Sequence, residues 1–351
     1  MAQINKPSEY FNTLLVSGDG SQTKSFTGVG FQPDMVWNKA RDSAYSHIIY
    51  DAVRGTGGTK EIKPNLTGAE GSFDGADYGT ITSFDSDRFS TYANINNAYF
   101  NQISKLFVNW CWKANGAGVS NTDGSITSTV SASTTSGFSI VSYTGTGSNA
   151  TVGHGLGVAP AMVIVKERSG VDAWIVGHSS IGFTKNLLLN ATNVEFADST
   201  IWNNTAPTSS FFSVGSSAST NESSATYIAY CFAEKKSFSK FGLYSGNSNV
   251  DGTFVYTGFK PAFVLIKGKG ALENWRIFDN KRIGYNPANY ILYPSGDFAE
   301  DTTGSNIDFL SNGFKLRETN AGTNGSGQGY IYMAFASEPL VGTNGVPTTA
   351  R

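Results

Sequence analysis

The stretch "GFQPDMVWNK" (Gly30 to Lys39) returns as "GVAPAMVIVK" (Gly157 to Lys166) and again as "GFKPAFVLIK" (Gly258 to Lys267). Aligning the three places Pro33, Pro160 and Pro261 in one column, with Val36, Val163 and Val264 three residues later and Lys39, Lys166 and Lys267 six later. Eight residues beyond each lysine stand His47, Trp174 and Trp275, and four further on Asp51, His178 and Asp279. Upstream, "LLVSGDGS", "IVSYTGTGS" and "FGLYSGNS" occupy equivalent places. Downstream, "KPNLTGAE" (Lys63 to Glu70) matches "YPSGDFAE" (Tyr293 to Glu300), with "NATNVE" (Asn190 to Glu195) as a rougher counterpart, and "FDSDRF" matches "FLSNGF". Each unit closes on an aromatic strand, "VNWCWK", "IAYCFA" or "IYMAFA". This order, kept three times, is an internal repeat.

Each unit runs to about 100 residues, the size of a sandwich domain rather than of a solenoid repeat. Gly-x-x-Pro ends a loop and sets the entry to a strand. The residues that follow are apolar on both parities, the pattern of a strand buried on both faces. The lysine is expected to end that strand where the chain returns to water. The closing strand is also apolar on both parities, so both strands are placed centrally. The fold class expected is all-β, three tandem antiparallel β-sandwich domains of jelly-roll or lectin-like type. Residues 1–116 form the first repeat, 138–236 the second and 237–340 the third. The Ser/Thr/Gly-rich segment 117–137 is a linker with one strand, in "SITSTVSA", and 341–351 is a C-terminal tail.

Composition agrees. Charged residues make up 15% of the 351-residue chain, and 40 glycines with 24 Phe and 16 Tyr describe short aromatic strands joined by many turns. The formal net charge of −2 comes without a basic stripe, which argues against nucleic acid as a partner. No apolar run approaches the ~20 residues of a membrane helix, and the polar "MAQINKPSEYFN" lacks the apolar core of a signal peptide. The expectation is a chain made in the cytoplasm without a leader and not inserted in a membrane.

The search for chemistry yields little. Cys111 and Cys231 share a column that holds Ala334 in the third unit, so they read as small core residues rather than a disulfide. His47, His154 and His178 show no zinc spacing, and no nucleophile accompanies them. His178, in a column with Asp51 and Asp279, reads as a polar position with a structural partner. Glu70 and Glu300 could suggest a glycosidase pair, but side chains that recur in tandem units serve the fold more often than a single active site. "FDSDRF" and "NTDGS" read as turns rather than calcium loops, and "GTGSNATVGHGLG" has neither the ending nor the helix of a phosphate loop. No catalytic residue, metal site or cofactor is expected. Trp37, Trp110, Trp112, Trp174 and Trp275 read as core. Trp202, in the polar loop "DSTIWNNTAP", is the one candidate ligand-binding residue: at a loop tip it would stack on a sugar or a partner protein, or else fold back over its own domain.

Taken together, Gly-Phe-x-Pro-x-x-Val-Trp-x-Lys, "YDAVRG", "ITSFDSD" and "WCWKANG" resemble the repeat-containing β-sandwich virion proteins of marine tailed bacteriophages, a family likened to SPRY and lectin-like sandwiches. The resemblance spans essentially the whole chain. It implies a structural protein of the virion, on the particle surface as a tail-fibre-like or capsid-associated appendage, with other virion proteins and host-surface glycans as partners. It implies no catalytic residues, and a homo-oligomer is compatible with it. A polysaccharide depolymerase and a non-virion assembly factor are the alternatives. His47 stands where the other units have tryptophan, which sets the first unit apart.

Overall fold

The computed structural model describes residues 3–304 and 306–341. Of the expected tail 341–351, all but Val341 lie outside the described residues. The first unit contains β1 (Phe11–Ser17), β2 (Thr23–Thr27), β3 (Met35–Ala40), β4 (Ile48–Asp51), β5 (Thr80–Asp85), β6 (Arg88–Tyr92) and β7 (Leu106–Trp112). They make an inner sheet in the order β1-β7-β3-β4 and an outer sheet β2-β6-β5. Next come β8 (Val119–Asn121), β9 (Ser128–Ser133), β10 (Phe138–Thr144), β11 (Ala150–Gly153), β12 (Met162–Glu167), β13 (Ile175–His178), β14 (Lys185–Leu188), β15 (Phe196–Ala197), β16 (Phe211–Val214) and β17 (Thr226–Phe232). Their inner sheet runs β15-β14-β13-β12-β17-β10-β9-β8 and their outer sheet is β11-β16. The third unit holds β18 (Ser239–Ser245), β19 (Phe254–Tyr256), β20 (Phe259–Gly268), β21 (Arg276–Asp279), β22 (Ile307–Leu310), β23 (Gly313–Leu316) and β24 (Gly329–Pro339). It repeats the plan with β18-β24-β20-β21 inside and β19-β23-β22 outside. The fold is all-β and its strand pairs are antiparallel.

The phrase that opens each unit has a local cause. Gly30, Gly157 and Gly258 have φ of 87°, 70° and 81°, a left-handed turn that glycine adopts without strain. Pro33 and Pro160 precede β3 and β12, while Pro261 sits within β20 at a register shift, where a missing N–H is tolerated.

Parity then decides the architecture. In β17, Tyr227, Ala229 and Cys231 face the outer sheet of their own unit, whereas Ile228, Tyr230 and Phe232 face away from it. Those three join Trp37, Trp110 and Trp112 of the first unit and Phe263, Met333 and Phe335 of the third in one apolar cluster. Each unit therefore has a sandwich core of its own, and the three inner sheets turn their second faces onto a shared central core. That is why the repeated strands are apolar on both parities. Phe335 touches rings from all three units, among them Phe11 at 5.2 Å, Trp112 at 5.8 Å and Phe232 at 6.0 Å between centroids.

Two expectations are corrected. The segment 117–137 is not a linker with one strand: β8 and β9 extend the second inner sheet along the edge of β10, with Val130 opposite Val141. The lysines do not mark a return to water, because Lys39, Lys166 and Lys267 are fully buried. Each ammonium turns back to cap carbonyl oxygens at the end of its strand or in the loop that follows: Ala40 and Ser43, Glu167 and Gly170, and Ala271 and Glu273.

Because the central core belongs to every unit, chemical denaturation followed by tryptophan fluorescence and by circular dichroism should give one coincident transition. Phe335→Ala should destabilise that single transition by about 3–5 kcal/mol, the usual cost of emptying a large aromatic site. Separate transitions for the units would contradict a shared core.

Candidate functional site

The repeated polar residues meet at the seams between units, and there they form a closed ring. The Glu300 carboxylate of the third unit accepts from Arg41 of the first at 2.9 Å, Glu70 of the first from Arg168 of the second, and Glu195 of the second from Lys269 of the third at 3.1 Å. At each seam the same glutamate donates its backbone N–H to the carbonyl of that cationic residue, at 2.6, 2.9 and 2.7 Å respectively. A cation from the glutamate's own unit completes each cluster: Arg282, Lys60 and Lys185.

The His47, Trp174 and Trp275 column does the same work with a ring N–H. Trp174 Nε1 donates to the carbonyls of Lys63 and Leu66 in the first unit, and Trp275 Nε1 to Leu188 in the second. His47 Nδ1 accepts from Trp37 Nε1 at 2.9 Å, so its proton sits on Nε2 and is donated to Tyr293 of the third unit at 3.0 Å. The Asp51, His178 and Asp279 column also crosses seams. Asp51 accepts from Tyr230 and Asp279 from Trp110, while His178 Nε2 reaches the Tyr332 carbonyl. Asp51 and Asp279 are fully buried and are neutralised by Arg54 and Arg282, likewise buried.

This assignment leaves no acid or base poised for a substrate among the repeated residues. Burial pushes His178 down to about 4 and holds His47 well below its ordinary value. His154 is fixed similarly, accepting from Leu156 N–H and donating to Thr208, and burial lowers its pKa too. Burial also brings Lys39, Lys166 and Lys267 down to about 8. Glu70 and Glu300 lie in different seams, each bound to two cations. Cys111 and Cys231 are free and buried. The Asp87 carboxylate of "FDSDRF" receives the amides of Gly28 and Gly30, and Asn121 of "NTDGS" closes a turn onto Asp123 N–H.

Trp202 is not a stacking platform. It ends a four-residue helix, Ser199–Trp202, capped by the Asp198 side chain, and it is fully buried against Phe183 and Phe212. The cap turns the loop inward, and a large indole surface favours the core over water.

Exposed aromatic side chains occur elsewhere, and mostly on one unit. Phe254, Tyr256, Tyr285 and Phe298 of the third unit are 43%, 57%, 70% and 54% exposed, against Tyr92 alone in the first. Phe254 and Tyr256 flank buried Val255 on β19, an edge strand of its sheet, so both point outward about 7 Å apart. Tyr256 borders a cleft of about 500 Å³ together with Glu234, Lys236, Ser237, Lys240 and Thr257. Lys240 and Glu234 form an ion pair on its rim at 2.7 Å. The cleft thus combines an aromatic face with charged and hydroxyl groups, chemistry suited to a polyhydroxylated ligand. Its counterparts flanking the equivalent buried residues, Ser25 and Thr27 in the first unit and Thr151 and Gly153 in the second, offer no aromatic face.

Sequence reasoning missed this cleft, and it also missed the column Asn101, Asn221 and Asn324, each ten residues before the Cys111, Cys231 and Ala334 column. These buried amides hold the glycine loops after β1, β10 and β18 by accepting the amides of Asp19, Thr146 and Asn247. The constant spacing was the available signal.

A family model described as "Domain of unknown function (DUF7483)" matches residues 6–339. No curated protein and no solved structure matches the chain.

Neutral buried histidines make the fold sensitive to acid with a defined sign. A histidine whose folded pKa is depressed contributes its full stability above about 6.5, and that stability is lost as pH falls toward about 4, because only the unfolded chain takes up the proton. Denaturation midpoints measured from pH 7 to pH 4.5 should fall less steeply in His178→Gln, which keeps a donor and cannot titrate. Equal slopes for the two proteins would contradict the assignment.

Proposed function

The chain belongs to the DUF7483 family, and we propose that it is a non-enzymatic structural protein of a tailed-phage particle. In this reading it is displayed on the virion surface as a tail-fibre-like or capsid-associated appendage, and its third unit holds a host-surface glycan. The observation that carries the recognition step is the placement of an exposed aromatic: Tyr256 of the third unit borders the charged cleft, while the glutamates that recur in the units, with His47 and His178, are engaged in seams. The virion assignment draws its support from the resemblance of the repeated phrases to those of marine phage virion proteins. A body whose three parts lock one another through a common core also suits a component that must keep its form outside a cell.

Binding without turnover separates this reading from a depolymerase. The purified full chain should bind host exopolysaccharide in a sedimentation assay without generating new reducing ends. Tyr256→Ala should weaken that binding at least fivefold, the scale of one lost stacking contact. New reducing ends would overturn the non-enzymatic reading, and unchanged binding by Tyr256→Ala would overturn the placement of the site. Mass spectrometry of purified particles tests the virion role, which fails if the chain is absent from them.

A further inference from the structure

The same columns that build the seams also show where one seam departs from the other two. The residue before the repeated proline is Gln32 in the first unit, Ala159 in the second and Lys260 in the third. The two residues after the Asp51, His178 and Asp279 column are Ala52 and Val53, Ser179 and Ser180, and Asn280 and Lys281. Only the third unit places two cations and an amide there. They converge on the seam with the first unit, where Lys260, Asn280 and Lys281 border a hollow of about 220 Å³ together with Asn12, Thr13 and Glu338. Lys260 and Asn280 also border a second hollow of about 390 Å³, which holds the exposed Tyr285 with Asn286 and Phe309. The two hollows are therefore neighbours that share Lys260 and Asn280.

Three further observations point to a ligand. Thr13 is 6% exposed, and its Oγ1 has no hydrogen-bond partner among the described residues; the same holds for Asn280 Oδ1. Buried oxygens in that state are normally satisfied by a protein group, a water or a ligand. Lys260 and Lys281 make no ion pair among the described residues, and the single carboxylate of the hollow, Glu338, stands opposite Lys260 in the β20–β24 register, leaving positive charge in excess. In the first unit the corresponding position carries Asp34, in the column of Ala161 and Ala262, and its carboxylate accepts the amides of Ala114 and Gly116.

We propose that this double hollow is an acidic-sugar subsite, distinct from the Tyr256 cleft, in which the Lys260 and Lys281 ammonium groups take the carboxylate or sulfate ester of one residue. Asn280 and Thr13 hydrogen-bond its ring hydroxyls, and Tyr285 stacks on the neighbouring residue. Paired lysines act as point charges without the planar fork of arginine, so they select for charge more than for the geometry of the anion. The subsite rests on the reading of the third unit as a glycan-binding surface and adds a preference for anionic glycans.

Calorimetric titration of the full chain with three tetrasaccharides tests it: an oligogalacturonate, a sulfated carrageenan oligomer and a neutral laminari-oligomer. The acidic tetramers should bind at least tenfold tighter than the neutral one, with affinity falling as salt rises. The double variant Lys260→Ala/Lys281→Ala should abolish that preference, and Tyr285→Ala should weaken binding of all three. If the acidic tetramers bind no tighter than the neutral one, or if the double variant keeps the preference, the subsite is overturned. Neutral binding that is lost in Tyr256→Ala, with no acidic preference in the wild type, would retain the glycan reading and remove only the subsite. No binding of any tetramer by the wild type would overturn both.

Discussion

The constraint on which the rest depends is that each inner sheet is apolar on both faces. A two-sheet unit can cover only one of them. The other, carrying residues such as Trp112, Phe232 and Phe335, would be open to water in an isolated unit, and a sheet face of that size is costly to leave bare. Three units turned toward one another bury all three faces at once. The seams follow from this closure, because bringing three sheets together also brings their loop ends together, and every polar group trapped there needs a partner. The glutamates, the seam cations and the indole N–H groups meet that need.

Seen this way, the divergent residues of the seam columns are chemically consistent. His47 stands where the other units have tryptophan, yet it presents the same thing to its neighbour: one ring N–H aimed at a carbonyl. His178 stands where the others have a buried aspartate, and it too bridges to the next unit, as a donor to a backbone oxygen instead of an acceptor. The buried lysines serve their own loops and, in the case of Lys267, also reach Thr192 of the second unit. Titratable groups placed like this support packing, and burial is the main cause of their shifted pKa values. The candidate recognition chemistry lies instead where the third unit differs from the other two.

Much of the architecture was legible in the sequence because the repeated phrases carry direct physical causes: a left-handed glycine, a strand-entry proline and a doubly apolar strand. The shared core was not legible, since parity shows that a strand has two buried faces without showing what covers the second. The lysines were misread because a lysine after an apolar run usually snorkels to water, whereas these curl onto carbonyls contributed by the strand end and the following loop. Of the two readings left open for Trp202, the structure shows the fold back over its own domain; its loop is mostly polar, and the cap at Asp198 that turns it inward is a local detail. The Tyr256 cleft was hidden by a change of length. Phe26 lies five residues before Phe31, but Val255 lies four before Phe259, so matching Phe254 to Phe26 assigns it to the core. A slip of one residue exchanges the faces of a strand, and Phe254 and Tyr256 point outward.

The ring of cross-unit contacts has a bearing on how such a chain can diverge. A change at Arg41 is felt first by Glu300, some 260 residues away, and a change at Trp174 by the backbone around Lys63, so drift in one copy must be answered in another and the interior evolves as a coupled set. Among the described residues, the strands of the outer sheets enter none of these cross-unit pairs. One copy could therefore acquire new surface chemistry while its two siblings continued as scaffolding, a division of labour that a single sandwich domain, with one core to protect, has less room to develop.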